Sequence, residues 1–166
     1  MNELTIRLAR PDDSEAIWAV IEPTIRQGAT YTLDPAMTKD AALSYWLGQD
    51  KSTFVALRGD AIIGSYYIRT NQDGGGRHVA NCGYMTLATA QGSGVARAMC
   101  LHSLDVARQN GYRAMQFNFV VSTNRRAVGL WTSLGFDTVG RLPLAFRLPT
   151  GEYVDALVMY RSLVAG

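Results

Sequence analysis

Residues 85–97 read Met85-Thr86-Leu87-Ala88-Thr89-Ala90-Gln91-Gly92-Ser93-Gly94-Val95-Ala96-Arg97, and the reading of this stretch decides the fold. A strand enters a turn that holds two glycines, and a helix leaves it. At such a junction the first main-chain N–H groups of the helix lack partners and point the same way as the positive end of the helix dipole. The turn is therefore built to hold an anion. Each hydrogen bond to a charged group contributes roughly 1.5–3 kcal/mol, so three or four of them hold a diphosphate without a lysine. A tight strand-to-helix connection with no ligand is the other reading of a bare G-x-G.

Two common phosphate loops do not fit. The dinucleotide pattern G-x-G-x-x-G needs a third glycine where Arg97 stands, and the triphosphate pattern needs a Gly-Lys pair that the stretch lacks. The triple glycine 74–76 is followed by a strand and not by a helix, so it reads as a flexible hairpin.

Outward from the turn, alternation predicts a strand over residues 78–87, with Val79, Asn81, Gly83, Met85 and Leu87 on one face. His78, Ala80, Cys82, Tyr84 and Thr86 take the other. Upstream, a first strand spans residues 5–9, and Asp12 with Glu15 has the spacing of a capping box for a helix that Pro23 disturbs. A polar and aromatic loop, residues 27–35, leads to a second helix over 38–47. Strands 53–58 and 62–70 join at Gly59-Asp60, a strong hairpin signal. Downstream, a helix runs to Asn110-Gly111, a strand spans 113–121, and Thr123 or Asn124 caps a helix ending at Leu134-Gly135. A last hairpin turns at 149–151 before a strand over 153–160. This order predicts an α/β (α+β) chain with a mixed sheet and helices on both faces.

The chain has 166 residues, 48% apolar and 18% charged, enough for one domain, 1–166, with a core of its own. Sixteen Lys and Arg against 14 Asp and Glu leave +2, which argues against nucleic acid. No apolar run reaches membrane-spanning length and the start lacks the layout of a signal peptide, so the expectation is a cytoplasmic protein without a membrane partner. Cys82 and Cys100 are too few for a metal framework or a disulfide scaffold, and no metal is expected.

Read as Gln91-x-x-Gly94-x-Ala96, the turn resembles the diphosphate loop of the GNAT superfamily, the acetyl-CoA-dependent N-acyltransferases. Residues Asn124 to Phe136 resemble that family's N-x-x-A-x-x-L-Y-x-x-L-G-F segment, and Arg7 near the end of the first strand also fits. The resemblance implies a mostly antiparallel sheet whose two central strands, through Met85 and Asn118, splay apart to admit the pantetheine arm of acetyl-CoA. It implies main-chain hydrogen bonds to that arm from Met85 and Leu87, and a diphosphate lined by Gln91, Gly92, Gly94, Val95 and Ala96, with added charge from Arg97. Asn124 would lie near the pantetheine, and a homodimer through the terminal strands is expected on the same ground. Trp131 stands where the family often has a tyrosine that protonates the departing thiolate. An indole N–H is no useful acid, so Trp131 is expected to pack against the cofactor, plain core being the alternative.

A narrower resemblance covers roughly residues 78–161. Asn81, Asn118, the segment 117–124 and Val154-Asp155-Ala156 resemble the fungal N-acetyltransferases that detoxify the proline analogue azetidine-2-carboxylate. It implies that Asn81 and Asn118 are the catalytic pair and bind a small amino or imino acid, with Tyr31, Tyr66 and Tyr84 walling its pocket. The alternatives are that both amides stitch diverging strands, that the acceptor is another amine, or that the domain binds acyl-CoA without catalysis. For the base, Glu22, Asp34 and a bound water stand open. His78 and Cys82 share a strand face without an orienting third group, so no nucleophilic dyad is expected.

Overall fold

The computed structural model describes residues 3–166. Seven strands form, of which β2 and β3 are buried on both faces and β6 is mostly exposed: β1 (Leu4–Leu8), β2 (Ser52–Arg58), β3 (Ala61–Thr70), β4 (Val79–Thr86), β5 (Ala114–Val121), β6 (Asp137–Arg147) and β7 (Tyr153–Ser162). They form one sheet in the order β1-β2-β3-β4-β5-β7-β6, in which only the central β4–β5 pair is parallel. Of the helices, α1 (Ser14–Gln27) and α2 (Lys39–Trp46) cover one face, burying Ile17, Val20, Ile21, Ile25 and Trp46 against Val55, Tyr67 and Met85. On the other face α3 (Val95–Gln109) and α4 (Arg125–Ser133) bury Met99, Leu104 and Trp131 against Tyr66, Met115 and Phe117. The predicted alternation of β4 holds: Met85 belongs to the first core, and Ala80 and Cys82 to the second.

Two local expectations are corrected. Helix α1 runs through Pro23 to Gln27, because its buried stripe outweighs one lost hydrogen bond and Pro23 itself lies exposed. Asp12 forms no capping box with Glu15: Asp13 precedes α1, and its carboxylate closes the short 3-10 turn over Pro11–Asp13 instead, accepting from the Arg10 N–H at 2.7 Å and from both Arg7 Nη atoms at 2.7 and 3.1 Å. That pair of hydrogen bonds from Arg7 holds Asp13 below the usual carboxylate range and gives Arg7 a structural task.

The feature that positions the site is the β4–β5 junction. The two strands pair only at Val79↔Ala114 and Ala80↔Met115, then part. On its far side β5 stays bound to β7 with a register shift between Phe117 and Val120, so Asn118 sits in the bulge. The long edge strand β6 accommodates Pro143 within its own shift between Leu142 and Phe146.

Candidate active site

Where β4 leaves β5, its main-chain groups on that edge lose their strand partner. The Leu87 N–H donates to Ile63 O at 2.8 Å, and the Leu87 carbonyl accepts from Ala90. Main-chain direction alternates along an antiparallel pair, so Met85 also points at β3 while Tyr84 and Thr86 face the gap. The main-chain groups of Met85 and Leu87, expected to face the gap, are therefore spent on β3 and the following turn. Leu87 borders neither cavity described below, whereas Met85 contributes to the larger one. At Tyr84 one group from elsewhere stands in for the missing strand. The Tyr31 hydroxyl donates to Tyr84 O and accepts from the Tyr84 N–H, both at 2.7 Å.

The turn after β4 keeps its donors available. Gln91 and Ser93 spend their N–H groups on Ala88 O and Ala90 O, each at 3.3 Å. Among the described residues, those of Gly92, Gly94, Val95 and Ala96 find no main-chain acceptor, and they gather at the start of α3. Gly92 (φ 77°) and Gly94 (φ 85°) take the left-handed conformation that aims these groups outward. A cavity of about 650 Å³ opens over them, lined by Gln91, Gly92, Gly94, Val95, Ala96 and Arg97, and continuing past Thr86 to Tyr84. That volume lies in the range of sites that hold a large ligand. Arg126 on α4 also borders it, a role without a signal in the sequence because Arg126 occupies an unspecified position of its motif.

A second cavity, of about 200 Å³, lies on the α1–α2 side, lined by Arg69, Asn81, Asn118, Tyr45 and Tyr67 among others. The two meet at Tyr31, Tyr84, Asn124 and Trp131, which border both. Trp131 is 8% exposed and packs on Tyr84 and Phe117 with ring centroids 5.0 and 5.1 Å away. Asn124, and not Thr123, caps α4 by accepting from the Ala127 N–H.

Both strand amides are bonded within the protein. Asn81 Nδ2 donates to Gln116 O at 2.9 Å, across the parting strands, and its Oδ1 accepts from Arg69 Nε at 3.2 Å. Asn118 donates to Asn71 Oδ1 at 2.6 Å and accepts from Gln116 Nε2 at 2.8 Å. Tyr66 is corrected outright: it is fully buried on the α3 face, stacked on Phe54, with its hydroxyl 2.7 Å from His102 Nδ1. Its neighbour Tyr67 is the cavity residue, as alternation along β3 requires, and Arg69 two positions on shares that face. Both were missed by the sequence reading.

Neither expected carboxylate base reaches a cavity. Glu22 pairs with Arg26 and Asp34 accepts from the Ala36 N–H. His78 precedes β4 and is exposed, and burial pushes the Cys82 thiol well above its usual range, so the pair has no nucleophilic character. Burial likewise raises Tyr31, Tyr67 and Tyr84, which stay neutral at physiological pH. Among the described residues no group of His, Cys, Asp and Glu could hold a metal, and no helix is long and apolar enough to cross a membrane.

Unpaired N–H groups at a helix start, a split in the sheet and a second cavity beyond it form a layout suited to a ligand that carries an anionic group at one end. The profile of the Acetyltransferase (GNAT) family matches residues 16–136, and the chain belongs to that family. It is similar to a GCN5-related N-acetyltransferase from Kribbella flavida, 42% identical over 96% of this chain and 97% of that one, with a TM-score of 0.90. It is also similar to the N-acetyltransferase aca1 of Schizosaccharomyces pombe, at 27% identity over 81% of this chain and 72% of the other. The acetyltransferase yncA of Salmonella typhimurium, solved with its cofactor acetyl-CoA, shares the fold at a TM-score of 0.86 and 21% identity, covering 99% and 96%. The protein is thus an acetyl-CoA-dependent N-acetyltransferase.

Proposed function

We propose that the protein acetylates the amine or imine nitrogen of a small amino acid or proline-like analogue, by direct attack on acetyl-CoA within one ternary complex. The observation that carries this reading is the size and lining of the second cavity: about 200 Å³, walled by Asn81 and Asn118, open to the larger cavity beside Trp131. It is smaller than sites for drug-sized molecules, which favours an acceptor of amino-acid size over an aminoglycoside.

In this reading the N–H groups of Gly92, Gly94, Val95 and Ala96 hold the diphosphate, with Gln91 and Arg97 beside it. The arm runs past Asn124 and along Tyr84 and Thr86 to bring the thioester to Trp131. Once the Tyr31 hydroxyl gives it up, the Tyr84 main-chain N–H would polarise the acetyl carbonyl, and confinement of both reactants supplies most of the acceleration. Asn81 and Asn118 hold the acceptor's pocket in shape and offer it their remaining donors. Among the described residues no cavity side chain is a base at neutral pH, so the acceptor loses its proton to water. The same reading includes a homodimer through the exposed Val139, Leu142 and Leu144 of β6, which sedimentation velocity checks.

The test is thiol release from acetyl-CoA with azetidine-2-carboxylate, proline, acyclic amino acids, polyamines and aminoglycosides. Turnover of the amino and imino acids is expected, and turnover of the other amines alone refutes the reading. Asn81→Ala and Asn118→Ala should raise acceptor KM or lower kcat while CoA affinity stays within about threefold. An equal loss of CoA binding would make both amides scaffold.

A further inference from the structure

We propose that Arg69 is the carboxylate anchor of the second cavity, so that the acceptor is an α-amino or α-imino acid held by its acid group. This rests on the acceptor reading above and assigns its main specificity contact to a residue outside the asparagine pair.

Among the described residues lining that cavity, Arg69 carries the only full charge. The amides of Asn81 and Asn118 each already spend a donor and an acceptor within the protein. The Arg69 side chain is not neutralised by comparable contacts. Its nearest anion is the Asp50 carboxylate, 3.8 Å from Nη1, beyond hydrogen-bond length. Asp50 is instead held by Lys51 Nζ at 3.0 and 3.3 Å, and that contact keeps it below the usual carboxylate range. The ion pair with the exposed Asp50 is thus long and solvent-facing, and it leaves the Nη donors without a hydrogen-bonded acceptor that a ligand would have to displace.

Position and orientation agree with this role. Arg69 pairs with Asn81 across the β3–β4 ladder, and the Nε–Oδ1 bond between them fixes the guanidinium plane. A bond at Nε leaves the Nη donors for an acid group, which they meet more rigidly than an ammonium would. From Asn81 to Tyr84, where the two cavities meet, is three residues of strand, roughly 10 Å. A carboxylate hydrogen bond of about 2.9 Å, the two-carbon link from acid to nitrogen, and an approach of about 3 Å to the carbonyl together span nearly that length. An acceptor anchored at Arg69 so presents its nitrogen at the junction. The same positive charge disfavours polyamines.

The experiment compares azetidine-2-carboxylate and proline with their uncharged carboxamides, in wild type, Arg69→Ala and Arg69→Lys, with CoA affinity and thermal unfolding as checks on the fold. The wild type should prefer the acids, and Arg69→Ala should cut the ratio of kcat/KM for acid over amide by about 10- to 100-fold, chiefly through KM. Arg69→Lys should recover part of that ratio. If acids are turned over and the ratio survives Arg69→Ala, the anchor is refuted while the acceptor reading stands. If the wild type acetylates only acceptors without an acid group, both fall.

Discussion

Gly83→Ala puts the geometry of the second cavity to the test. A Cβ at position 83 would lie 2.6 Å from Tyr67 Cε2, 2.8 Å from Cζ and 2.9 Å from Oη, where ordinary carbon contacts need about 3.5–4.0 Å. The ring must therefore move by about 1 Å. It is closed off on one side by the fully buried Trp46, edge-on with centroids 4.9 Å apart and itself fixed by Nε1 donating to Ser65 Oγ at 2.9 Å. The direction left open is into the cavity that Tyr67 walls. Overpacking of this kind costs about 1–3 kcal/mol, and each kcal/mol lowers Tm by about 2–4 °C in a chain of this size, so a fall of roughly 3–10 °C is expected. A shift of about 1 Å at a reacting pocket costs up to 10²-fold, and the loss should appear in the acceptor kcat/KM while CoA titrates as in wild type. Steady-state kinetics, calorimetric CoA titration and thermal melts read all three. Adding Tyr67→Leu removes the ring and should restore part of Tm, giving a non-additive double-mutant cycle. A wild-type Tm and acceptor KM in Gly83→Ala, or strictly additive effects in the cycle, would refute the reasoning.

Gly94→Ala meets no atom within 4 Å, so its cost is backbone strain alone at φ 85°, about 1–2 kcal/mol, and CoA should bind about 10-fold more weakly by calorimetry; unchanged affinity would show that the turn does not grip the donor. Burial lowers the pKa of His102 from 6.5, so the folded state resists its protonation. The stability this gives is complete above about pH 6.5 and is lost as pH falls below it. Tm should therefore drop between pH 7.5 and 5.5, and His102→Gln should flatten that slope; an unaltered slope assigns it elsewhere. Burial raises the Cys82 thiol and pushes Cys100 up to about 11, so neither should react with a disulfide reagent until the protein is unfolded; rapid labelling of the native protein would contradict their burial.

The donor side was legible because it is local. Residues 91–96 carry their own geometry in two glycines and a helix start, and Asn124 announces the next helix by its side chain. The acceptor side depends on register between distant strands, which no window of sequence contains. Arg69 becomes a pocket residue only when β3 pairs it with Asn81, and the amides of Asn81 and Asn118 find partners at Gln116 and Asn71 that nothing in their neighbourhood foretells. Tyr66 and Tyr67 differ by one step of the pleat, enough to send one into the core beneath α3 and the other to the cavity. The same single step separates Leu87 from Thr86 at the gap.

The phenol of Tyr31 serves Tyr84 as a one-atom substitute for a neighbouring strand. On the proposed reading, a pantetheine amide that threads the opening as an extra ribbon would take the place of that phenol. Because Tyr31 borders both cavities, its displacement would reshape the wall of the other chamber, and the exchange rate of the Tyr84 amide proton would register the handover.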